Sequence, residues 1–396
     1  MKKLLFLGGS FSQVPAIKRA KELGYYVITV DYLPNNPGHV YSDEYFNVST
    51  TDKEAILNLA KDLGIEGIIA YASDPGAPVA AYVAEKLELP TSPLESIEIL
   101  GEKHLWRKFL LDNGFDVPNS QSGKEVSNFN FYDWNFPLMV KPVDSSGSKG
   151  VTKIFKESEF KNAFIYAQEF SRNKIVIVEE FIEKVGCQIG GDGFYGKDRL
   201  DFVCFGDQYV DQNTNPFVPA GMMFPSSIEE FLKRKIFKEI ERALSLLRVQ
   251  NLSFNLEVML DKQGRVYLME IGPRNGGNFI PQVIESLTGV SLVDLALKSA
   301  VGEIDKVSVF ETISQCCFGY YAVHSNKVGK LNNIKYLLPS TISIIDSSMF
   351  KKTGDLVEKF NGSNCTIGIL VLKFLNKEVM IDFYNNVDKY IQVFYE

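Results

Sequence analysis

Histidine and cysteine are sparse in this chain, and their scarcity removes several classes of function. The 396 residues include three histidines and five cysteines. The cysteines lack metal-ligand spacing, and an odd number in a chain of this size argues against a disulfide framework. The histidines form neither a metal-binding nor a triad pattern. We therefore expect reduced cysteines and a cytoplasmic protein.

Dense positive charge and long apolar runs are missing as well. Lys and Arg total 42 against 49 Asp and Glu, a formal net charge of −7. Without a basic tract, a nucleic-acid partner is not expected. No apolar run approaches the ~20 residues that cross a bilayer, so no membrane partner is expected. The chain length predicts two or three globular domains, and we expect their partners to be small molecules.

The first ninety residues alternate short β-type runs with helical patterns. Strands are predicted at 4–7, 26–30 and 67–71, and helices at 14–23, 53–63 and 78–87. This alternation predicts a Rossmann-like parallel α/β domain. The turn at Gly8-Gly9-Ser10 lacks the GxGxxG spacing, which disfavours a dehydrogenase.

The pattern changes twice further along the chain. Two helical patterns follow residue 93, a polar stretch at 119–135 reads as a connector, and strands with longer helices then extend to about residue 300. Beyond residue 300 the chain becomes β-rich and aromatic. We predict an α/β and α+β multidomain fold, with domains at 1–93, 94–300 and 301–396.

A predicted hairpin carries two acidic residues. Leu252–Leu260 alternates apolar and polar positions before the turn sequence Asp261-Lys262-Gln263-Gly264. A two-residue turn centred on Gln263 and Gly264 places Glu257 opposite Glu270. Facing carboxylates repel, and a hard divalent cation such as Mg²⁺ would let them coexist. A four-residue loop would keep both acids on one face but diagonal, and a three-residue loop with a bulge would separate them. Two surface glutamates on a solvated hairpin face are the alternative interpretation.

Two segments suit anion binding. The glycine-rich stretch after the hairpin contains Arg274, whose guanidinium offers a two-pronged donor for phosphate or carboxylate. A second small-residue loop follows the strand that ends at Lys141, and it lacks the Walker A spacing. Its candidate phosphate-binding residues are Ser145, Ser146, Gly147, Ser148, Gly150 and Val151. Taken singly, such a loop is more often a flexible turn.

A strand between these two segments turns abruptly acidic and then aromatic. Its end reads Glu179-Glu180-Phe181-Ile182, a junction whose backbone groups and apolar face could hold a purine. Lys103, on a predicted helix, and Lys141, at a strand end, could each meet phosphate charge. A lone lysine, however, is normally a solvated surface residue.

The order and spacing of these motifs over roughly residues 1–300 resemble the ATP-grasp superfamily. The resemblance is to its carboxylate-amine (L-amino acid) ligase branch, related to carbamoyl-phosphate synthase and to biotin carboxylase-type enzymes. It implies a pre-ATP-grasp domain (1–93), a helical linker (94–118), a nucleotide-binding lobe (about 119–185), a catalytic lobe (about 186–300) and a β-rich C-terminal subdomain (301–396). It also implies ATP and Mg²⁺ as cofactors, with Mn²⁺ as an alternative metal.

The resemblance assigns roles to the motif residues. Lys103 and Lys141 would contact the nucleotide phosphates, with the small-residue loop over them. Glu257 and Glu270 would bind the metal, and Arg274 would act with Lys141 in catalysis. At the adenine end, Glu179 would lie near the amino group and Glu180, Phe181 and Ile182 would complete the hinge.

Two positions depart from the family pattern. Gln188 stands where the family has a glutamate for the ribose hydroxyls, and Gly272 replaces a metal-binding asparagine. Asn255 would lie opposite Gly272, and we hypothesise that Asn255 or water fills the missing metal position. Both departures bear on whether the protein is catalytically active.

The activity implied by the resemblance is ligation. A substrate carboxylate would take the γ-phosphate of ATP, and an amine, such as an amino acid or small peptide, would attack the resulting acyl phosphate. A homodimer is a further possibility that the family suggests. The alternatives are a catalytically impaired nucleotide-binding protein and a bicarbonate-activating, carboxylase-like enzyme.

Overall fold

The computed structural model, which describes residues 1–304 and 315–396, begins with a parallel α/β unit. Its sheet has the order β3-β2-β1-β4, and the strands are buried because helices cover both faces. The elements are β1 (Lys3–Leu7), α1 (Val14–Glu22), β2 (Tyr26–Val30), β3 (Glu44–Phe46), α2 (Lys53–Leu63), β4 (Gly67–Ile69) and α3 (Ala77–Lys86). The predicted parallel α/β architecture is confirmed.

A smaller antiparallel sheet follows two linking helices. Its order is β5-β8-β6-β7. The elements are α4 (Leu94–Gly101), α5 (Lys103–Asp112), β5 (Ser120–Gly123), β6 (Leu138–Pro142), β7 (Thr152–Ile154), α6 (Phe160–Phe170) and β8 (Val176–Glu180). The predicted connector at 119–135 contains a strand that was not predicted, because the polar β5 pairs along β8. Its side chains are only partly buried at the sheet edge, so no apolar alternation marks it.

A larger sheet of eight strands follows and continues into the C-terminal region. Its order is β13-β12-β9-β10-β11-β14-β18-β16. The elements up to residue 300 are β9 (Ile189–Tyr195), β10 (Leu200–Val210), β11 (Pro219–Phe224), α7 (Glu230–Leu246), β12 (Leu252–Leu260), β13 (Val266–Gly272), α8 (Ile280–Thr288) and α9 (Leu292–Ala300). Helix α7 packs on one face of this sheet with buried Ile236 and Ile240.

The C-terminal region is β-rich, as predicted. Its elements are β14 (Cys317–Val323), β15 (Gly329–Tyr336), β16 (Ile342–Met349), β17 (Leu356–Val357), β18 (Gly368–Phe374), α10 (Lys377–Asn385), α11 (Val387–Tyr390) and β19 (Ile391–Tyr395). Strands β14, β18 and β16 extend the large sheet, and β17, β15 and β19 form a small sheet beside it. The domain boundary near residue 300 stays a prediction.

Two expectations about composition can be compared with the structure. Cys187, Cys204, Cys317 and Cys365 are free thiols. Among the described residues no single helix is long and apolar enough to cross a membrane. Helices α8 and α9 meet that length and composition only when taken together, and they are bent by 117°.

The hairpin of β12 and β13 pairs Glu257 with Glu270 as predicted, but its turn and its strand register differ from the prediction. The predicted two-residue turn is wrong, because Asp261 N donates to Arg265 O across a three-residue loop. A second irregularity lies between Glu257 and Val258, where Met269 is the extra residue of a bulge. The bulge offsets the longer loop, so Glu257 lies opposite Glu270. The expectation that a three-residue loop with a bulge would separate the two acids is therefore wrong.

The loop residue Gly264 offers a simple test of this turn. Its φ is +71°, and a Cβ added there would meet nothing within 4 Å, so only backbone strain opposes a side chain. We expect Gly264→Ala to lower the free energy of unfolding by about 1 kcal/mol. Gly101→Ala, at the end of α4 with ordinary φ, should be neutral or stabilising. Urea midpoints of both variants check this, and an unchanged midpoint for Gly264→Ala would contradict it.

Candidate functional site

A cavity of about 450 Å³ opens between the small antiparallel sheet and the hairpin end of the large sheet. The chain brings most of the predicted site residues to it from separate segments. Those that line it are Lys103, Lys141, Ser145, Ser146, Gly147, Ser148, Val151, Glu179, Glu180, Phe181, Ile182, Gln188, Glu257 and Glu270. Gly150, Asn255 and Arg274 do not line it.

Glu257 and Glu270 form the acidic wall of this cavity. Lys103 Nζ lies 2.9 Å from Glu270 Oε2, while Gln188 Nε2 donates to Glu257 Oε2 at 2.8 Å and Gln208 Nε2 to Oε1 at 3.3 Å. Burial first, and the neighbouring Glu270 second, raise the pKa of Glu257. The two carboxylates therefore repel each other in place.

The donor set of this wall fits a divalent cation. Carboxylate oxygens are ligands that Mg²⁺ prefers, and a cation between Glu257 and Glu270 would relieve their repulsion. The described residues hold no group of three or more His, Cys, Asp or Glu suited to a metal. Further ligands would thus come from phosphate oxygens, water or an amide, which is the usual arrangement for a phosphate-bound magnesium ion.

Lys103 connects the acidic wall to the small-residue loop. Besides Glu270, its Nζ donates to the Ser145 carbonyl at 3.0 Å. Burial opposes the charge on Lys103, but Glu270 more than compensates and raises its pKa. A lysine that is charged and only 17% exposed is not a solvated surface residue. The lone-lysine alternative is therefore wrong for Lys103.

Glu179 lies at the centre of a buried charge cluster. Lys141 Nζ donates to Glu179 Oε2 at 2.6 Å, and Arg107 Nε lies 2.8 Å from Oε1 in an ion pair whose geometry falls short of a hydrogen bond. Burial alone would raise the carboxyl pKa. The attraction of Arg107 and Lys141 outweighs it and lowers the pKa of Glu179 to about 2. Glu179 thereby fixes the position of Lys141 in the cavity wall.

The lowered pKa of Glu179 predicts a pH-dependent stability. Its value in the folded state lies below the ordinary 4.5, so the stabilisation is present above about pH 4.5 and is lost as the pH falls toward 2. About 2 kcal/mol should be lost by pH 3. Glu179→Gln should be less stable at pH 7 and lack this acid dependence, as measured by urea midpoints from pH 7 to 3. The exposed Glu230→Gln is the control, and parallel pH profiles for Glu179→Gln and the parent chain would contradict the assignment.

One hydrogen bond and one close approach connect the small-residue loop to other segments. Ser148 Oγ donates to the Phe217 carbonyl at 2.6 Å. Gly147 has a φ of +66°, and a Cβ there would come within 2.3 Å of Ser363 Oγ, so a side chain would collide with the C-terminal region. The loop therefore lies against the segment that precedes β11 and against the C-terminal region.

The other end of the cavity is apolar. Met139, Met259 and Met269 line it together with Phe181 and Ile182, the residues predicted to hold a purine. Lys153 Nζ lies 3.4 Å from the centre of the Phe181 ring, in a cation–π contact. An apolar slot beside a charged phosphate end is the general shape of a nucleotide pocket.

Two predicted residues have partners outside the cavity. Arg274 Nε and Nη2 donate to Asp74 Oδ1 and Oδ2 at 2.7 and 2.8 Å, so a carboxylate of the N-terminal unit already occupies its two-pronged donor. Asn255 does lie opposite Gly272, but its Nδ2 donates to Asp192 Oδ1. Only its Oδ1 could serve a cation. The roles of Arg274 in catalysis and Asn255 in metal binding stay predictions.

Arg107 and Gln208 were not anticipated from the sequence. Arg107 is 3% exposed and its Nη1 donates at 2.8 Å to the carbonyl of Met269, the bulge residue of the hairpin. Helix α5 thereby covers the edge strand β13, with Trp106 Nε1 bonded to the Leu268 carbonyl. The one available signal was helical spacing, since Lys103 and Arg107 are four residues apart on α5 and share a face.

Comparisons with known proteins agree with this geometry. Residues 100–278 match the family model described as an ATP-grasp domain. The formate-dependent phosphoribosylglycinamide formyltransferase of Prochlorococcus marinus (strain MIT 9515) is 25% identical over 194 residues, which are 46% of this chain and 48% of that protein. The chain spans about half the length of the first curated relatives it matches.

Solved structures show the same fold over the whole chain. The L-amino acid ligase from Bacillus licheniformis has a TM-score of 0.83 at 20% identity, covering 100% of this chain and 99% of that one. The phosphoribosylglycinamide synthetase from Anaerococcus prevotii has a TM-score of 0.77 at 23% identity, covering 100% of both chains. These similarities confirm the predicted fold class.

Proposed function

We propose that the chain, whose residues 100–278 match an ATP-grasp domain, is an ATP-dependent ligase of that family, joining a small carboxylate substrate to an amine. The observation that carries the proposal is the cavity in which Glu257 and Glu270 face each other beside Lys103 and Lys141. This arrangement suits a nucleoside triphosphate whose negative charge is shared between cations of the protein and a divalent metal. ATP and Mg²⁺ are the cofactors we propose.

The residues of the cavity would act by placing and neutralising charge. Lys141, held by Glu179, and Lys103, held by Glu270, would contact phosphate oxygens. Mg²⁺ bound by the two glutamates would shield the transferring phosphoryl group. Phosphoryl transfer needs such positioning more than a protein nucleophile.

The first chemical step would form an acyl phosphate. A carboxylate oxygen of the substrate would attack the γ-phosphorus, and ADP would leave with the bridging oxygen. An amine would then attack the acyl carbon and release inorganic phosphate. Because water would destroy the acyl phosphate, closure by the loop from Ser145 to Val151 would protect it.

The amine and acid we propose are amino acids or small peptides. The similarity in fold to an L-amino acid ligase over the whole chain supports this class. Arg274, lying two residues after Gly272, would receive the acid or the transferred phosphoryl group once Asp74 releases it. Gln188 donates to Glu257, which supports a contact with the proposed metal site in addition to the proposed ribose contact.

The direct test is a phosphate-release screen of amino-acid pairs with ATP and Mg²⁺. Release that requires both an acid and an amine, with formation of the ligated product by mass spectrometry, is expected. ATP binding without release from any pair would favour the impaired nucleotide-binding protein. Release that depends on bicarbonate alone would favour the carboxylase-like enzyme.

A further inference from the structure

His324, which belongs to no sequence motif, joins the C-terminal region to a loop beside the nucleotide cavity. It directly follows β14, and its side chain is 5% exposed. The loop comprises residues 211–218, between β10 and β11. Gln212, Pro216 and Phe217 of this loop line the cavity, whereas His324 does not. Any influence of His324 on the cavity is therefore exerted through the loop.

Both ring nitrogens of His324 face acceptors. Nδ1 lies 2.7 Å from the Ala322 carbonyl oxygen, and Nε2 lies 3.0 Å from Asp211 Oδ2. A histidine donates through both nitrogens only as the imidazolium. The hydrogen bond from His324 is the largest influence on the pKa of Asp211 and lowers it, against the opposing effect of burial. The contact between the two side chains is thus charge-assisted, the stronger kind of hydrogen bond.

Asp211 in turn organises its own loop. Its Oδ1 accepts from Asn213 N at 2.9 Å, and its Oδ2 accepts from Thr214 Oγ1 at 2.6 Å. Its carbonyl oxygen accepts from the amides of Thr214 and Asn215 at 3.2 and 3.0 Å. These bonds fold the first turn of the loop around a single residue. The position of Asp211 therefore sets the position of the turn.

The far end of this loop contacts the small-residue loop. Phe217 N donates to Asn215 Oδ1 at 3.0 Å, and the Phe217 carbonyl accepts from Ser148 Oγ at 2.6 Å. Because Asn215 N also donates to the Asp211 carbonyl, hydrogen bonds connect each step of the path from His324 to Ser148.

The C-terminal region supports both ends of this path. Phe360 stacks on His324 with ring centres 4.4 Å apart, and it packs with Val218 of the loop. Ser363 lies against Gly147 of the small-residue loop, where an added Cβ would come within 2.3 Å of its Oγ. The small-residue loop is therefore linked to the C-terminal region twice, once directly and once through His324.

We propose that His324 is a positioning residue for the small-residue loop, which it holds over the cavity by fixing Asp211 and the segment 211–218. The inference rests on the proposed function, because it takes that loop to be the cover that keeps water from the acyl phosphate. When His324 is lost, the cover opens more often. Water then converts the acyl phosphate to the free carboxylate and inorganic phosphate, and ATP is consumed without a ligated product.

The test is His324→Phe in the full chain, which keeps a ring against Phe360 and removes both hydrogen bonds. Without nucleotide, hydrogen exchange of the amides in 211–218 should be about tenfold faster than in the parent chain, the effect of losing a charge-assisted hydrogen bond. With ATP, Mg²⁺ and the best pair from the screen, the ratio of phosphate released to product formed should rise severalfold.

Tyr390→Phe is the matched control. It also removes a hydrogen bond from a buried ring to an aspartate of the C-terminal region, Asp382, and it keeps the stack on Phe383. Its exchange in 211–218 and its ratio of phosphate to product should match those of the parent chain. Melting temperatures show that both variants are folded.

A further comparison shows whether His324 acts through Asp211. Asp211→Ala should speed the same exchange, and adding His324→Phe to it should have no further effect. The proposal is overturned if His324→Phe leaves the exchange of 211–218 unchanged, if the two effects add, or if product forms with the parent ratio of phosphate. Absence of phosphate release from every pair would instead count against the proposed function alone, since the exchange measurement needs no turnover.

Discussion

Glu270→Gln is expected to reduce ATP-dependent phosphate release by about 10²–10³-fold, the range for losing a group that stabilises developing charge. The variant keeps the shape of the side chain but removes one of the two opposed carboxylates. It also removes the charged partner of Lys103 at 2.9 Å. The measurement is phosphate release with the best pair from the screen, together with Mg²⁺-dependent nucleotide binding.

The control for this variant is Glu183→Gln, an exposed glutamate in a surface pair with Lys262. Glu183→Gln should retain full release. Melting temperatures of both variants show whether any loss reflects unfolding rather than chemistry. If folded Glu270→Gln released phosphate at the parent rate, the assignment of the carboxylate pair to the metal would be wrong.

Arg107→Met is expected to lower the free energy of unfolding by about 3–5 kcal/mol, the cost of removing one partner from a buried ion pair. The guanidinium is 3% exposed and contacts both Glu179 and the Met269 carbonyl. Its loss leaves Glu179 with Lys141 as its remaining cation and uncovers a carbonyl at the hairpin bulge. Nucleotide binding should weaken as well, because Lys141 and Glu270 are positioned through these contacts.

The matched control is Arg234→Met on α7, whose side chain is 77% exposed in a surface pair. That change should cost less than about 1 kcal/mol. The double variant Arg107→Met/Glu179→Gln should recover part of the stability, since the uncompensated carboxylate is then gone. Urea unfolding measures all three. Equal midpoints for Arg107→Met and Arg234→Met would show that the buried cluster does not stabilise the fold.

The sequence predicted those features that depend on local pattern. Alternation in Leu252–Leu260 predicted the strand with its observed bounds, and helix α2 appears over the predicted 53–63. The polar strand β5 was missed because its stability comes from pairing with β8, about 56 residues later, and not from its own side chains. The local strand propensity of a segment does not show which distant strand will pair with it.

The candidate site was predictable to a similar degree. The opposition of Glu257 and Glu270 was right although the turn was not, because a bulge at Met269 cancels the additional loop residue. The pairing of Arg274 with Asp74 could not be foreseen, since the two are 200 residues apart in sequence and come together only when the N-terminal unit packs on the hairpin. The same applies to Arg107 on helix α5, whose partner Glu179 lies on the distant strand β8.

The unbroken ladder from β13 to β16 limits how this molecule can move. Each of its eight strands is hydrogen-bonded to the next, so we expect the acidic hairpin and the C-terminal strands to move as one rigid unit. We therefore expect any movement that admits a nucleotide to be carried by the sheet β5-β8-β6-β7, about the segment between β8 and β9. Cross-linking that segment to the eight-stranded sheet should trap a nucleotide bound in the cavity.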